Sequence, residues 1–179
     1  MRSSDRPLDL TTVKDWAFGY VARYASSTAR LRRVLLRRAR RYGYEDTVSE
    51  PLIDKAIATV VELGLIDDAA YARSLERRFD ERGRSTRALV SALAEKGVAR
   101  EIIDDLVGSR SRADEMRSAL ALARRRRLGP FRRSSDQGDA SFELRLKELA
   151  VLARAGFDAA IARRIVTASS EDDLHDPDR

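Results

Sequence analysis

The sequence predicts an all-α protein in which three tandem three-helix repeats stack as an elongated, solenoid-like chain. Three observations lead there. Long stretches are rich in Arg, Ala, Leu and Glu, all good helix formers, and the 179 residues contain only 4 prolines. Apolar residues recur at helical spacing along most of the chain. One pattern, a capped helix, a glycine stop, a hydrophobic residue and a second helix, occurs three times. Its glycines, Gly43, Gly97 and Gly156, lie 54 and 59 residues apart, the spacing of a three-helix unit. One such unit buries a modest core, so neighbours are expected to stack. The competing reading is a single compact helical bundle with a degenerate repeat.

Residues 1–11 are polar and aperiodic and read as a disordered arm. The first helix runs from Val13 to Ala25, with Trp16, Tyr20 and Tyr24 four apart on one face, expected in the core. Ser26, Ser27 and Thr28 offer N-caps for a second helix. Its Leu31, Val34, Leu35, Ala39 and Tyr42 share a stripe, and Arg38 falls inside that stripe, where it either snorkels or has a use. Ser49-Glu50-Pro51 starts a third helix with proline in its first turn. Leu52, Ala56, Ile57, Val60 and Leu63 point inward from it, completing repeat 1 over 12–66.

Repeat 2 spans 67–108. Asp67-Asp68 caps a helix through Tyr71, Leu75 and Phe79, and Ser85 or Thr86 caps the next, with Leu89, Ala92 and Leu93 inward. A short helix through Ile102, Ile103 and Leu106 follows. Repeat 3 spans 109–168 and opens with a helix over 112–128 that turns Met116, Leu120 and Ala123 inward. A flexible linker over 129–141 interrupts it. Two helices close it, Phe142 to Ala155 using Leu146, Leu149 and Leu152, and Ile161 to Ala168. Aligning the repeats matches Ile57, Ile102 and Ile161, each followed four positions on by an apolar residue, Val61, Leu106 and Ile165. Residues 169–179 carry five acids and one arginine and read as a disordered acidic tail.

Composition narrows function by exclusion. With no cysteine there is no disulfide framework, thiol nucleophile or Cys-ligated metal. The one histidine, His175, lies in the acidic tail, which argues against a Ser-His-Asp triad or a histidine metal site. Neither a P-loop nor a G-x-G-x-x-G fingerprint occurs. Asp67-Asp68 and Asp104-Asp105 have the look of a metal-dependent nuclease pair, but helix capping for the first and an exposed face for the second are expected. No apolar run approaches 18 residues and the N-terminus lacks a signal core. The expectation is a soluble, cytoplasmic monomer without enzymatic activity, cofactor or metal.

The charge is more informative. Arg and Lys number 35 against 29 acids, for a net charge of +6, and 31 of the basic residues are arginines. Arg30 to Arg41 holds seven arginines and no acid, and Arg110 to Arg133 holds nine against two. The candidate partner- or phosphate-binding residues are Arg30, Arg33, Arg37, Arg40, Arg41, Arg84, Arg87, Arg124, Arg125, Arg126 and Arg127. Because the last four run consecutively around a helix, at least one is expected to face inward. Such clusters face phosphates or an acidic surface, or simply form solvated helix faces. The chain has no Asn and a single Gln, Gln137, so adenine readout is poorly equipped. Any DNA contact is expected to be to the backbone, without sequence preference.

The stretch 62–98 carries Leu65-Ile66-Asp67-Asp68, then Tyr71-Ala72, Gly83-Arg84, Leu89, Leu93 and Lys96-Gly97-Val98. This resembles the core signature of the RecX family, regulators of the RecA recombinase. The likeness extends more weakly over 16–166, with Ala155-Gly156-Phe157 resembling the family's third-repeat ending. Insertions near Glu45–Pro51 and at 129–141 depart from the family pattern. The resemblance implies a non-catalytic three-helix-repeat protein that binds RecA and its nucleoprotein filament. It also implies restraint of ATP hydrolysis, filament extension and strand exchange, in DNA repair, recombination and the SOS response. The alternative is a sequence-nonspecific DNA-binding protein that acts without RecA.

Overall fold

The computed structural model describes residues 7–132 and 142–174. The expected elements at 1–6, 133–141 and 175–179, His175 included, lie outside the described residues. The chain is all-α. Its helices are α1 (Leu10–Val21), α2 (Thr28–Arg41), α3 (Asp46–Glu62), α4 (Asp68–Glu81), α5 (Thr86–Lys96) and α6 (Arg100–Gly108). They continue with α7 (Arg112–Arg126), α8 (Phe142–Ala155) and α9 (Ala159–Thr167). No strand occurs among the described residues. Two compact units emerge, one from the residues up to Arg73 with Leu93–Ile103, the other from Ser74–Ala92 with the residues after Ile103.

In the first unit α1, α2 and α3 close on Val13, Ala17, Leu31, Leu35, Ile53 and Val60, all fully buried or nearly so. The stripe predicted for α2 is correct at Leu31, Leu35 and Ala39. Three boundaries differ from expectation, the first being the end of α1 at Val21 and not at Ala25. Helix α1 begins earlier, because Asp9 accepts from the Thr12 amide at 2.7 Å and Leu8 is buried, so the arm does not reach residue 11. Helix α3 starts at Asp46 and carries Pro51 inside it, although its sequence signal sat at Ser49-Glu50-Pro51. Ser49 is buried in that helix instead of capping it. Leu63, expected inward, is exposed, as is Val61, while Val60 is buried as expected.

The start of α2 shows how the first unit is joined. The Ser27 hydroxyl accepts from the Arg30 amide at 3.3 Å and donates to the Lys96 carbonyl, at the end of α5, at 2.6 Å. Asp68, in the first turn of α4, accepts from the Thr28 amide at 2.7 Å. Asp67 caps its own helix through the Ala70 amide. The aspartate pair is thus divided between two helix N-termini, where its charge also suits the helix dipole. The second unit repeats this joint. Ser85 accepts from the Ala88 amide and donates to the Ala155 carbonyl, at the end of α8, at 2.8 Å. Glu115, in the first turn of α7, accepts from the Thr86 amide at 2.9 Å. The glycine after each accepting carbonyl leaves no room for a side chain. A Cβ on Gly97 would stand 2.6 Å from the Ala29 Cβ, and one on Gly156 would stand 2.3 Å from the Ser85 hydroxyl.

The core of the second unit gathers Leu120, Ala123, Leu152, Phe157, Ile161 and Ile165. Leu146, expected inward on α8, is exposed, and Glu148 is buried there. The linker does not begin at residue 129: Gly129–Phe131 forms a 3-10 turn with Gly129 buried. Within the acidic tail, Asp172–Leu174 forms a 3-10 turn and Leu174 is buried.

Helix α7 opens with a capping box not foreseen in the sequence. The Asp114 amide donates to the Ser111 hydroxyl at 3.2 Å, and the Ser111 amide donates to the Asp114 carboxylate at 2.7 Å. Bonds from the Ser111 backbone and hydroxyl hold the Asp114 carboxyl below the usual carboxylate range. A depressed folded-state value means that this stabilisation is present above the unfolded-state pKa, about 3.9. It is lost as the pH falls through the folded-state value. Asp114→Asn is therefore expected to flatten the acid limb of a plot of Tm against pH below about pH 4. A limb identical to the parent's would show that the box does not carry it.

Candidate functional site

With Leu31, Leu35 and Ala39 buried, α2 turns its arginines outward, but most of them are engaged locally. Arg32 is paired with Asp54 at 2.7 Å. Arg40 makes two bonds to Asp46, at 2.8 and 2.5 Å, and thereby holds that carboxyl below its ordinary range. Arg33 donates to the Glu95 carbonyl at 3.1 Å, and the Arg30 Nε to the Tyr20 hydroxyl at 3.2 Å. Arg38 lies 4.8 Å above the Trp16 ring, which in turn stacks on Tyr42 at 5.6 Å. The anomalous arginine of the stripe thus covers an aromatic pair while its own residue stays exposed. Trp16 and Tyr20 are half-buried, whereas Tyr24 is exposed. Among the described residues Arg37 and Arg41 are exposed with no partner for their guanidinium groups.

The second unit assembles a site. Arg84, Arg125, Arg126 and Arg154 line a cleft of about 320 Å³ together with Gly83, Leu122 and Val151. A second hollow of about 260 Å³ is lined by Phe79, Arg82, Arg84 and Arg125. The two share Arg84 and Arg125, and no carboxylate lines either one. Each arginine arrives at the end of a helix. Arg82 and Arg84 flank Gly83 in the turn after α4, Arg125 and Arg126 occupy the last turn of α7, and Arg154 the last turn of α8. Helix C-termini favour cations through their exposed carbonyl ends, which offsets part of the repulsion among five like charges. The aliphatic wall is supplied by packing, because Gly83 is pressed against the backbone of Leu122.

Two ion-pair networks, one partly buried and one enclosed, tie elements of this unit together. Arg110, with a side chain only 5% exposed, donates to Glu76 at 2.6 Å and to Asp80 at 2.8 Å. Burial opposes its charge, yet bonds to Asp80 and Glu76 hold its pKa above the ordinary arginine value. Glu148 on α8 accepts two bonds from Arg132, and Arg132 also donates to the Val166 carbonyl at 3.0 Å.

Of the sequence candidates, Arg84, Arg125 and Arg126 meet in the cleft, while Arg87 and Arg127 are exposed outside its lining. Arg124 lies 5.3 Å over the Phe131 ring and pairs with Glu171 of the tail. The expected inward member of the run does not exist: Arg124, Arg125, Arg126 and Arg127 are all exposed. The helix ends at Arg126 and Arg127 turns left-handed, at φ 57°, so the run never completes a packed turn. Sequence reading missed Arg82 and Arg154. Both stand within two residues of a glycine stop, and that proximity was the available signal, since glycine stops mark where helix ends converge.

No family model matches the chain. Curated relatives do. A regulatory protein RecX from Myxococcus xanthus is 36% identical over 166 residues, covering 90% of this chain and 87% of its own length. A second, from Mycobacterium avium, is 33% identical and covers 82% of this chain and 80% of its own. The chain belongs to the RecX family. The crystal structure of RecX from Lactobacillus salivarius shares the fold, with a TM-score of 0.69 at 18% identity over 88% of this chain and 94% of that one. These RecX relatives are named as regulatory proteins, not as enzymes, and a regulatory role follows for this chain. No helix among the described residues is long and apolar enough to cross a membrane.

Proposed function

We propose that this RecX-family chain binds RecA and its nucleoprotein filament, and lowers RecA's ATPase, filament extension and strand exchange by occupancy, without chemistry of its own. The observation that carries the reading is family membership along nearly the whole chain. The outward, unpartnered cations Arg37 and Arg41 on α2 and the arginine cleft of the second unit add to it. Three repeats, 12–66, 67–108 and 109–168, are the proposed modules. Their support is the serine–carbonyl joint made at Ser27 and made again at Ser85. Contacts spread over several modules add through effective concentration, so no single pocket need be tight. The proposed setting is a bacterial cytoplasm, with the chain as a monomer and without a cofactor.

The test is the DNA-dependent ATPase of RecA with increasing amounts of the chain. The parent is expected to inhibit. Arg37→Glu with Arg41→Glu is expected to raise the half-inhibitory concentration about tenfold, the effect of ~1.4 kcal/mol. Unchanged inhibition by that variant removes α2 from the mechanism. Undisturbed ATP turnover at saturating parent protein overturns the RecA reading.

A further inference from the structure

We propose that residues 169–174 are an autoinhibitory strap, a leucine-anchored acidic segment that closes over the arginine run at the end of α7. This rests on the proposed reading that arginines of the second unit meet the partner, and it adds how that meeting is regulated.

By composition the segment belongs in water, since Glu171, Asp172 and Asp173 follow two serines. The fold instead seats it. Leu174 is 4% exposed and joins Leu120, Ala123 and Ile165 in the core of the second unit. The turn that delivers it is built locally. The Asp173 carboxylate accepts from the Ser169 and Ser170 amides, each at 3.0 Å, and the Asp173 amide donates to the Ser170 hydroxyl at 3.3 Å. Arg164 of α9 donates to the Leu174 carbonyl at 3.4 Å. With the leucine anchored, Glu171 reaches Arg124 in the last turn of α7 and pairs with it. Arg124 opens the run Arg124 to Arg127, all four exposed.

The two contacts have different effects. An ion pair whose side chains are 49% and 42% exposed contributes little by itself, whereas burying a leucine withdraws a large apolar surface from water. Leu174 therefore sets whether the strap is closed. Glu171 sets what closure does: it occupies one guanidinium and brings negative charge to the rest of the run. Apart from the three-residue 3-10 turn the strap carries no helix, and short terminal segments of this kind open without unfolding their neighbours. A partner that engages Arg124 must displace Glu171, so its apparent affinity falls with the fraction of molecules in which the strap is closed. A segment that only completed the core would need the leucine, not the carboxylate on Arg124.

Single variants of the full chain test this, read by the salt at which each leaves a heparin column and by half-inhibitory concentration against RecA's ATPase. Leu174→Asp adds a negative charge, so charge alone predicts earlier elution from the polyanion. An opened strap predicts the reverse, later elution and a half-inhibitory concentration about fivefold lower. Hydrogen exchange of the 169–174 amides reports closure and is expected to be slow in the parent and fast in Leu174→Asp. Glu171→Gln is compared with Asp172→Asn, which removes the same charge from an exposed neighbour without a partner among the described residues. The first is expected to lower the half-inhibitory concentration about twofold more than the second, and this pair decides the matter if Leu174→Asp does not fold. Unprotected amides in the parent would overturn the strap. Elution and inhibition that stay level or weaken in a folded Leu174→Asp would overturn autoinhibition, leaving the leucine as core alone, and so would equal effects of Glu171→Gln and Asp172→Asn. Later elution of Leu174→Asp beside a parent that never inhibits RecA would support the strap and remove the RecA reading.

Discussion

Glu148→Ala is expected to destabilise the fold by about 3–5 kcal/mol, because it removes the carboxylate paired with a buried guanidinium. The pair is enclosed, with side chains 5% and 11% exposed for Glu148 and Arg132. Glu148 accepts from the Arg132 Nε at 2.8 Å and from Nη2 at 2.5 Å, and from the Gly129 amide at 3.3 Å. Its removal takes the carboxylate from all three of these donors, while Arg132 keeps its bond to the Val166 carbonyl. For a chain of this length, Tm should fall by about 10 °C, read by far-UV circular dichroism. Arg132→Met with Glu148→Leu removes both charges and should recover most of the loss, since matched apolar replacements of buried pairs are often near neutral. A single variant that melts within about 2 °C of the parent would show that the pair does not tie Gly129–Arg132 to α8.

Gly83→Ala is expected to cost about 3 kcal/mol, combining left-handed backbone strain with overpacking against a neighbour. The residue has φ +58°, and a Cβ there would stand 2.4 Å from the Leu122 amide nitrogen and 2.8 Å from its Cα. These are backbone atoms of a buried helix, so the turn itself must move. Because that turn carries Arg82 and Arg84 toward Arg125, potency against RecA's ATPase should fall together with stability. Gly64→Ala separates the causes. It shares the positive φ, at +66°, but has nothing within 4 Å, so it should cost about 1–2 kcal/mol. Equal losses in the two variants would mean that the close approach to Leu122 contributes nothing.

Much of the helical skeleton was legible because local chemistry and periodicity agree along the chain. The stripe Leu31, Leu35, Ala39 follows from spacing, and hydroxyl chemistry narrows the caps to Ser26–Thr28 and Ser85–Thr86, of which the structure uses Ser27 and Ser85. The start of α3 was misplaced because proline near a serine is the usual mark of a first turn, and Pro51 sits inside the helix without ending it. Leu146 was placed inward and Glu148 overlooked for one reason. A leucine at helical spacing outranks a glutamate in any apolar pattern, and the arginine that permits glutamate to be buried lies 16 residues away.

The RecX signature over 62–98 led to the family, and the relatives bear it out. The site was only half visible. Arginine-rich runs drew attention to Arg124 through Arg127, but a run records charge along the chain, not its convergence in space. Arg82 and Arg154, isolated in sequence, join Arg84, Arg125 and Arg126 because three helix ends meet.

By itself the amino-acid order determined helix identity, the glycine stops, the serine caps and the excess of arginine, since each depends on residues within a few positions of one another. Tertiary structure alone decided which carboxylate met which guanidinium. It also decided which cations stayed unneutralised in a common cleft. Ion pairing and charge focusing depend on distance through space, and folding sets that distance between residues far apart along the chain.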